Sequence, residues 1–172
     1  AIADRLSSRT PGVGAISFVR QQEARGLGHA IWTARHVIGD EPFAVLLPDM
    51  LMVDEKPCLK SLVDIHARYG GNVVAVQKCD PDEAHKFGIV SLKPTKDGPV
   101  VNGLIEKPAP GTAPTNLYMS GRYVLQPQIF DLLERQAPGA GGEIQLTDAL
   151  IAMMGMQDIR PFEFGGRTFD CG

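Results

Sequence analysis

Apolar positions change period repeatedly along the chain, dividing it into alternating extended and helical segments. Residues 16–19 read as a short strand, Gly26-Leu27-Gly28 as a turn, and Ala30, Ile31, Ala34, Val37 and Ile38 recur at helical spacing. Gly39-Asp40-Glu41-Pro42 breaks that helix, and residues 43–47 form a continuous apolar run of the kind a strand buried on both faces requires. Pro48 ends the run and exposes Asp49. Leu59, Leu62, Val63 and the stem of His66 give one face of a helix over 57–69, stopped by Gly70-Gly71, and 73–77 supplies the next strand.

From Phe87 to Glu106 the pattern changes to two extended segments, 88–92 and 100–105, joined through Lys96-Asp97-Gly98 in a hairpin-like connection. A strand over 118–125, a helix over 127–135 opened by Pro127, a Gly/Pro loop over 137–142 and a helix over 143–154 follow. Thr147-Asp148 is a poor helix-interior pair by propensity, and Met153, Met154 and Met156 read as core filling. Strand and helix in alternation predict an α/β fold: a Rossmann-like mixed, mainly parallel central sheet flanked by helices, with a small antiparallel portion at the hairpin. Residues 1–172 are expected to form one domain, and the apolar-acidic-small ending Thr168-Phe169-Asp170-Cys171-Gly172 reads as cut short.

Composition narrows the function classes. A chain 44% hydrophobic and 22% charged, with 19 Gly and 13 Pro, is that of a packed protein and not of a disordered or fibrous one. A net charge of -3 argues against a general nucleic-acid or membrane-surface binder, so any phosphate binding must be local. No apolar run approaches the ~20 residues of a membrane helix and no signal pattern opens the chain, which makes the cytoplasm the expected location. Cys58, Cys79 and Cys171 are widely spaced, and His29, His36, His66 and His85 lack metal-ligand spacing, so neither a disulfide framework nor a zinc site is predicted.

Three places carry candidate chemistry. Asp49 follows the 43–47 run, at the carboxyl end of a strand where open α/β sheets bind ligands, although an Asp there also serves as a turn or capping residue. Gly26-x-Gly28 with Gln21 before it offers close backbone approach beside an amide that both donates and accepts, suited to a base edge, or else a plain tight turn. Glu106-Lys107-Pro108 sets a carboxylate and an ammonium side by side where Pro108 turns the chain, a pairing suited to a sugar phosphate, or else an exposed surface pair.

Taken in order, Gln21, Gly26-Leu27-Gly28-His29-Ala30, Gly39-Asp40-Glu41-Pro42, Leu47-Pro48-Asp49, Phe87-Gly88-Ile89-Val90, Glu106-Lys107-Pro108, Gly121-Arg122-Tyr123, Gly141 to Asp148 and Asp170-Cys171-Gly172 resemble the motif series of the bacterial UTP:glucose-1-phosphate uridylyltransferase family. The likeness covers nearly the whole chain, and the Gly141 to Asp148 block with the Asp-Cys-Gly triplet separates it from thymidylyl-, guanylyl- and cytidylyltransferases. Gln22 stands where the family more often has Gly. Nothing before Ile16 resembles the family's Gly-rich triphosphate loop, and the family's helical tail after Asp-Cys-Gly is not seen, so a central fragment is the expectation.

The resemblance implies a nucleotide-diphospho-sugar transferase fold whose hairpin portion binds the sugar. It further implies magnesium-dependent transfer of UMP from UTP to glucose 1-phosphate, giving UDP-glucose and pyrophosphate, in a homodimer or homotetramer when full length. Gln21 and Gly26 would contact uracil, and Gly88, Glu106 and Lys107 would hold the glucose phosphate. Asp49 and Asp170 would ligate Mg2+, and Asp49 and Lys107 would be the catalytic pair. A weakly active UDP-sugar-binding fragment and a transferase using dTTP are the competing readings.

Overall fold

The structure, a computed structural model, describes residues 11, 12 and 14–172. The expectation that no Gly-rich loop precedes Ile16 falls largely on residues outside that range. Described in chain order are α1 (Leu27–Thr33), α2 (Arg35–Ile38), β1 (Phe43–Leu46), β2 (Met50–Val53), α3 (Cys58–Tyr69), β3 (Asn72–Lys78), a 3-10 turn (Pro81–Lys86), β4 (Gly88–Lys93), β5 (Val100–Glu106), β6 (Leu117–Leu125), α4 (Ile129–Arg135), a 3-10 turn (Ala140–Gly142), α5 (Leu146–Met154), β7 (Ile159–Glu163) and β8 (Arg167–Asp170).

The mixed, helix-flanked α/β sheet is found, but its mainly parallel character is not. Six strands run in the order β5-β4-β6-β3-β7, with β1 also on β6, and among the described residues only β3 and β7 pair in parallel. The reason lies in β6. The β1–α3–β3 segment does return the chain in the same direction, as a crossover helix requires, but β1 and β3 are not neighbours. Each pairs antiparallel with β6, which lies between them. The hairpin adds another antiparallel pair, with Gly88 opposite Glu106.

Two apolar cores cover the sheet. Val74 and Val76 face α1, α4 and α5 through Ile31, Ile129 and Leu150, whereas Val73 and Ala75 face α3 through Cys58 and Leu62. The strand buried on both faces is therefore β3 and not the 43–47 run, where half-buried and exposed residues alternate. Only β6 pairs with β1, so its other edge has no ladder partner among the described residues. Residues 16–19 form no strand: no described strand pairs with them, and Phe18 is 96% exposed. The helix expected over 143–154 begins at Leu146, because 143–145 is drawn into backbone bonding with the segment before α1. Strands β2, β7 and β8 carry too little period-two signal in four or five residues to be read in advance, and Pro161 sits in β7 at the sheet's edge.

Candidate active site

Strand β6 changes partner along its length: Tyr118 pairs with β4, and 122–125 pair with β1. Gly121 lies between those two segments at φ +76, opposite a register shift in β3. A bulge of this kind re-aims the strand, and only glycine adopts that φ without penalty. At this change of partner opens a cleft of ≈ 350 Å³. Its wall draws on the turn after β1, the open ends of β4 and β5, the first turn of α5, and β8.

Five of the seven expected site residues, Asp49, Gly88, Glu106, Lys107 and Asp170, line this cleft. Gln21 and Gly26 do not, although Leu27 does. The Gln21 Nε2 donates to the Gly26 carbonyl at 3.1 Å and meets His29 Nδ1 at 2.9 Å, so the amide braces the glycine turn. That turn is clamped to the segment before α5: Gly28 N donates to Ile144 O, and Ile144 N donates to Arg25 O. A Cβ on Gly28 would lie 2.6 Å from Ile144 O, so close approach of backbones dictates glycine there.

Asp49 stands on a turn held from below by Arg122. The guanidinium donates through Nη1 to Leu47 O at 2.8 Å and to Gly121 O at 2.9 Å, and through Nη2 to Met50 O. The same turn holds β8: Met50 is in register with Asp170, and Cys171 N donates to Asp49 O at 2.8 Å. A Cβ built on Gly172 would lie 3.2 Å from Asp49 Oδ2 and 3.6 Å from Asp170 Oδ1. Both oxygens therefore face one small space and stand within ~7 Å of each other, a span that a single Mg2+ and its retained waters bridge. No group of three or more His, Cys, Asp or Glu side chains with metal-site geometry occurs among the described residues. A pair of carboxylates suits Mg2+, which takes one or two from protein and the rest from water and phosphate.

Across the cleft, the hairpin register sets Glu106 opposite Gly88. A Cβ on Gly88 would come within 2.8 Å of Met119 Cε and 3.1 Å of Glu106 Oε2, so the bare glycine leaves the carboxylate its room. Thr147, nearly fully buried in the first turn of α5, donates its hydroxyl to Glu106 Oε2 at 2.5 Å. Lys107 has φ +44, the only non-glycine residue with positive φ among those described, and its N–H donates to Phe87 O. That turn explains how neighbours in sequence reach one cleft, since adjacent side chains of a regular strand face opposite ways. A strained non-glycine backbone persists where the surroundings impose it, often at functional sites.

Electrostatically the cleft differs from the surface. Lys56 and Lys60 pair with Asp64, and Lys86 with Glu83. The Lys107 ammonium and the Asp49 carboxylate have no ion-pair partner among the described residues. Beneath them, burial first and the Glu106 charge second hold the Tyr123 hydroxyl well above the ordinary phenol range, so it stays protonated. Burial likewise raises Tyr118, whose hydroxyl donates to Gln77 Oε1 at 3.2 Å and whose ring meets Phe87 at 4.5 Å. A larger recess, ≈ 520 Å³, lies between α2 and α4, but none of the expected site residues lines it and its Arg35, His36, Asp40 and Asp131 are spread over an open surface. Size alone does not mark the functional cleft here.

Sequence reasoning missed Thr147 and Arg122. Thr147 announced itself only as a poor helix-interior residue within a motif block, and Arg122 only as part of a motif block. Neither signal says which carboxylate or turn the side chain will meet.

A family model described as "Nucleotidyl transferase" matches residues 2–164. The UTP–glucose-1-phosphate uridylyltransferase of Staphylococcus epidermidis is 46% identical over 159 residues, covering 91% of this chain and 55% of that protein. A crystal structure of a UDP-glucose pyrophosphorylase complexed with UDP-glucose superposes with a TM-score of 0.85 at 37% identity, over 90% of this chain and 60% of that one. A UTP-bound UGPase from Acinetobacter baumannii superposes with a TM-score of 0.79 at 34% identity, over 92% of this chain and 56% of that one. The chain spans about half the length of the curated relatives it matches.

Proposed function

The chain belongs to the nucleotidyl transferase family, and from that premise we propose that the protein transfers UMP from UTP to glucose 1-phosphate, forming UDP-glucose and pyrophosphate. A phosphate oxygen of glucose 1-phosphate attacks the α-phosphorus of UTP, the bond to the β-phosphate oxygen breaks, and pyrophosphate leaves without a covalent enzyme intermediate. The observation that carries this reading is the meeting of Asp49, Gly88, Glu106, Lys107 and Asp170 in one cleft, drawn from four separate stretches of chain. The names of the relatives supply the nucleotide and the sugar.

The roles follow from the side chains. Glu106 accepts sugar hydroxyls through the oxygen that Thr147 leaves free, and Gly88 keeps the space for the ring. Lys107, a compact cation without a carboxylate partner, meets the sugar phosphate and offsets its charge as the two substrates approach. Gln21 still has its amide oxygen for a base N–H, which supports uracil recognition with Gly26 at the turn. Asp49 and Asp170 would hold Mg2+. When bound, the ion supplies positive charge against phosphate repulsion, about 4 kcal/mol for two unit charges 4 Å apart at an effective dielectric of 20.

Residues 1–172 are taken as part of one catalytic domain in the cytoplasm; no helix among the described residues is long and apolar enough to cross a membrane. Self-association belongs to the same proposal, supported by the exposed apolar side chains of Leu51, Val53 and Phe169 on the β2–β8 ribbon.

Calorimetry on the intact native protein tests the assignment. Glu106→Ala and Lys107→Ala are expected to weaken glucose 1-phosphate and UDP-glucose binding at least ten-fold, the effect of ~1.4 kcal/mol, and to leave UTP binding nearly unchanged. Equal losses for UTP and sugar phosphate would refute it.

A further inference from the structure

Thr147 is a polar side chain 4% exposed at the second position of α5, a helix whose N-cap residue, Gln145, makes no side-chain capping bond. A buried threonine in a helix commonly returns its proton to a carbonyl three or four residues back. This one instead reaches across the cleft to Glu106 Oε2, 41 residues away in sequence, at 2.5 Å. A charge-assisted bond of that length fixes the carboxylate's rotamer and takes up one of its two oxygens. The constraint is shared: Oε2 also lies 3.1 Å from the space a Cβ on Gly88 would fill, and Thr147 Oγ1 lies 3.6 Å from it. Glu106 is thus held between a donor on α5 and a bare glycine on β4, with Oε1 left to the cleft.

We propose that Thr147 is a positioning residue that sets the affinity of the cleft for the hexose of its sugar-phosphate substrate by holding Glu106 Oε1 toward the sugar hydroxyls. The inference rests on the assignment of Glu106 to the sugar. Thr147 itself need not touch the ligand. Without its proton the carboxylate is free to rotate, so the sugar must bear the cost of ordering it. Nothing in this arrangement concerns the triphosphate, so UTP affinity should not follow.

A double-mutant cycle in the intact native protein tests this, with glucose 1-phosphate and UTP affinities measured by calorimetry and folding followed by thermal melting. Thr147→Val, isosteric but without the proton, is expected to weaken glucose 1-phosphate binding about ten-fold with UTP binding unchanged, and Thr147→Ser to restore it. In a Glu106→Ala background, Thr147→Val should add nothing. If Thr147→Val is silent, or if it costs as much with Glu106 absent as present, the positioning role is overturned while the assignment of Glu106 stands. If Glu106→Ala alone leaves glucose 1-phosphate affinity intact, that assignment fails and this inference with it. Should Thr147→Val not fold, Thr147→Ala carries the same cycle.

Discussion

Replacing Arg122 with methionine, which keeps most of its length and none of its charge, should loosen the turn that carries Asp49. The guanidinium donates to three carbonyls, those of Leu47, Gly121 and Met50, and so brackets Asp49 on both sides. Hydrogen bonds from a charged donor contribute ~1.5–3 kcal/mol each when their loss leaves a buried acceptor bare. Here Leu47 and Met50 are only half-buried and water can replace the lost donor, whereas Gly121 is buried. One bond at nearly full value and two at a fraction of it give about 3 kcal/mol in all, or a fall of roughly 6–12 °C in melting temperature for a domain of this size. Urea unfolding and amide exchange at Met50 and Cys171, whose N–H groups donate to Leu47 O and Asp49 O, are the assays, and exchange there should quicken more than in β3. Arg122→Lys should recover less than half the loss, because one ammonium cannot match the planar fork. There is an independent reporter: burial raises the Cys58 thiol pKa and the Arg122 charge offsets part of that rise, so the methionine variant should raise it further. A loss below about 0.5 kcal/mol, within the range of ordinary surface substitutions, with unchanged exchange at Met50 and Cys171, would refute the bracing role.

Two further outcomes are expected. Burial pushes the Cys58 thiol up from an ordinary 9.0 to about 11, so maleimide labelling followed by mass spectrometry at pH 8 should modify exposed Cys171 first and Cys58 last; a raised folded pKa also means that Cys58's contribution to stability is complete below pH 9 and lost as pH climbs toward 11. Gly28→Ala, whose new methyl would meet Ile144 O at 2.6 Å, should cost about 1–3 kcal/mol in thermal unfolding, and an unchanged melting temperature would show that the 25–28 and 143–146 segments can part freely.

Much of the cleft was legible because its charged residues sit at breaks in the hydrophobic pattern. Asp49 follows an apolar run, and Glu106-Lys107 ends one. Period and punctuation report such places, and the hairpin that sets Gly88 beside Glu106 could be read from two extended segments around Lys96-Asp97-Gly98. What could not be read was neighbour choice. The 117–125 segment looks the same from sequence whether it extends the sheet or inserts between β1 and β3, and that insertion is what turns a parallel crossover into an antiparallel sheet. The same blindness hid Thr147 and Arg122, since each acts on a group 41 to 75 residues away. Nor could sequence show that the Gln21 N–H groups bond within their own turn, which leaves the amide oxygen for the proposed base contact.

The pairing of β2 with β8 also has a consequence in time. Asp49 and Asp170 are neighbours across that ribbon but about 120 residues apart in the chain. At the usual ~5–20 residues per second of synthesis, the second carboxylate is made roughly 6–24 s after the first. Throughout that interval β2 lacks the only ladder partner it has among the described residues, and β6, made in between, supplies the strand against which the β1 turn is set. On the proposed assignment of Asp49 and Asp170 to Mg2+, a nascent chain would expose one solitary acid, and cation capture would be a late checkpoint, passed only by molecules whose translation has run through β8 and whose ribbon has closed.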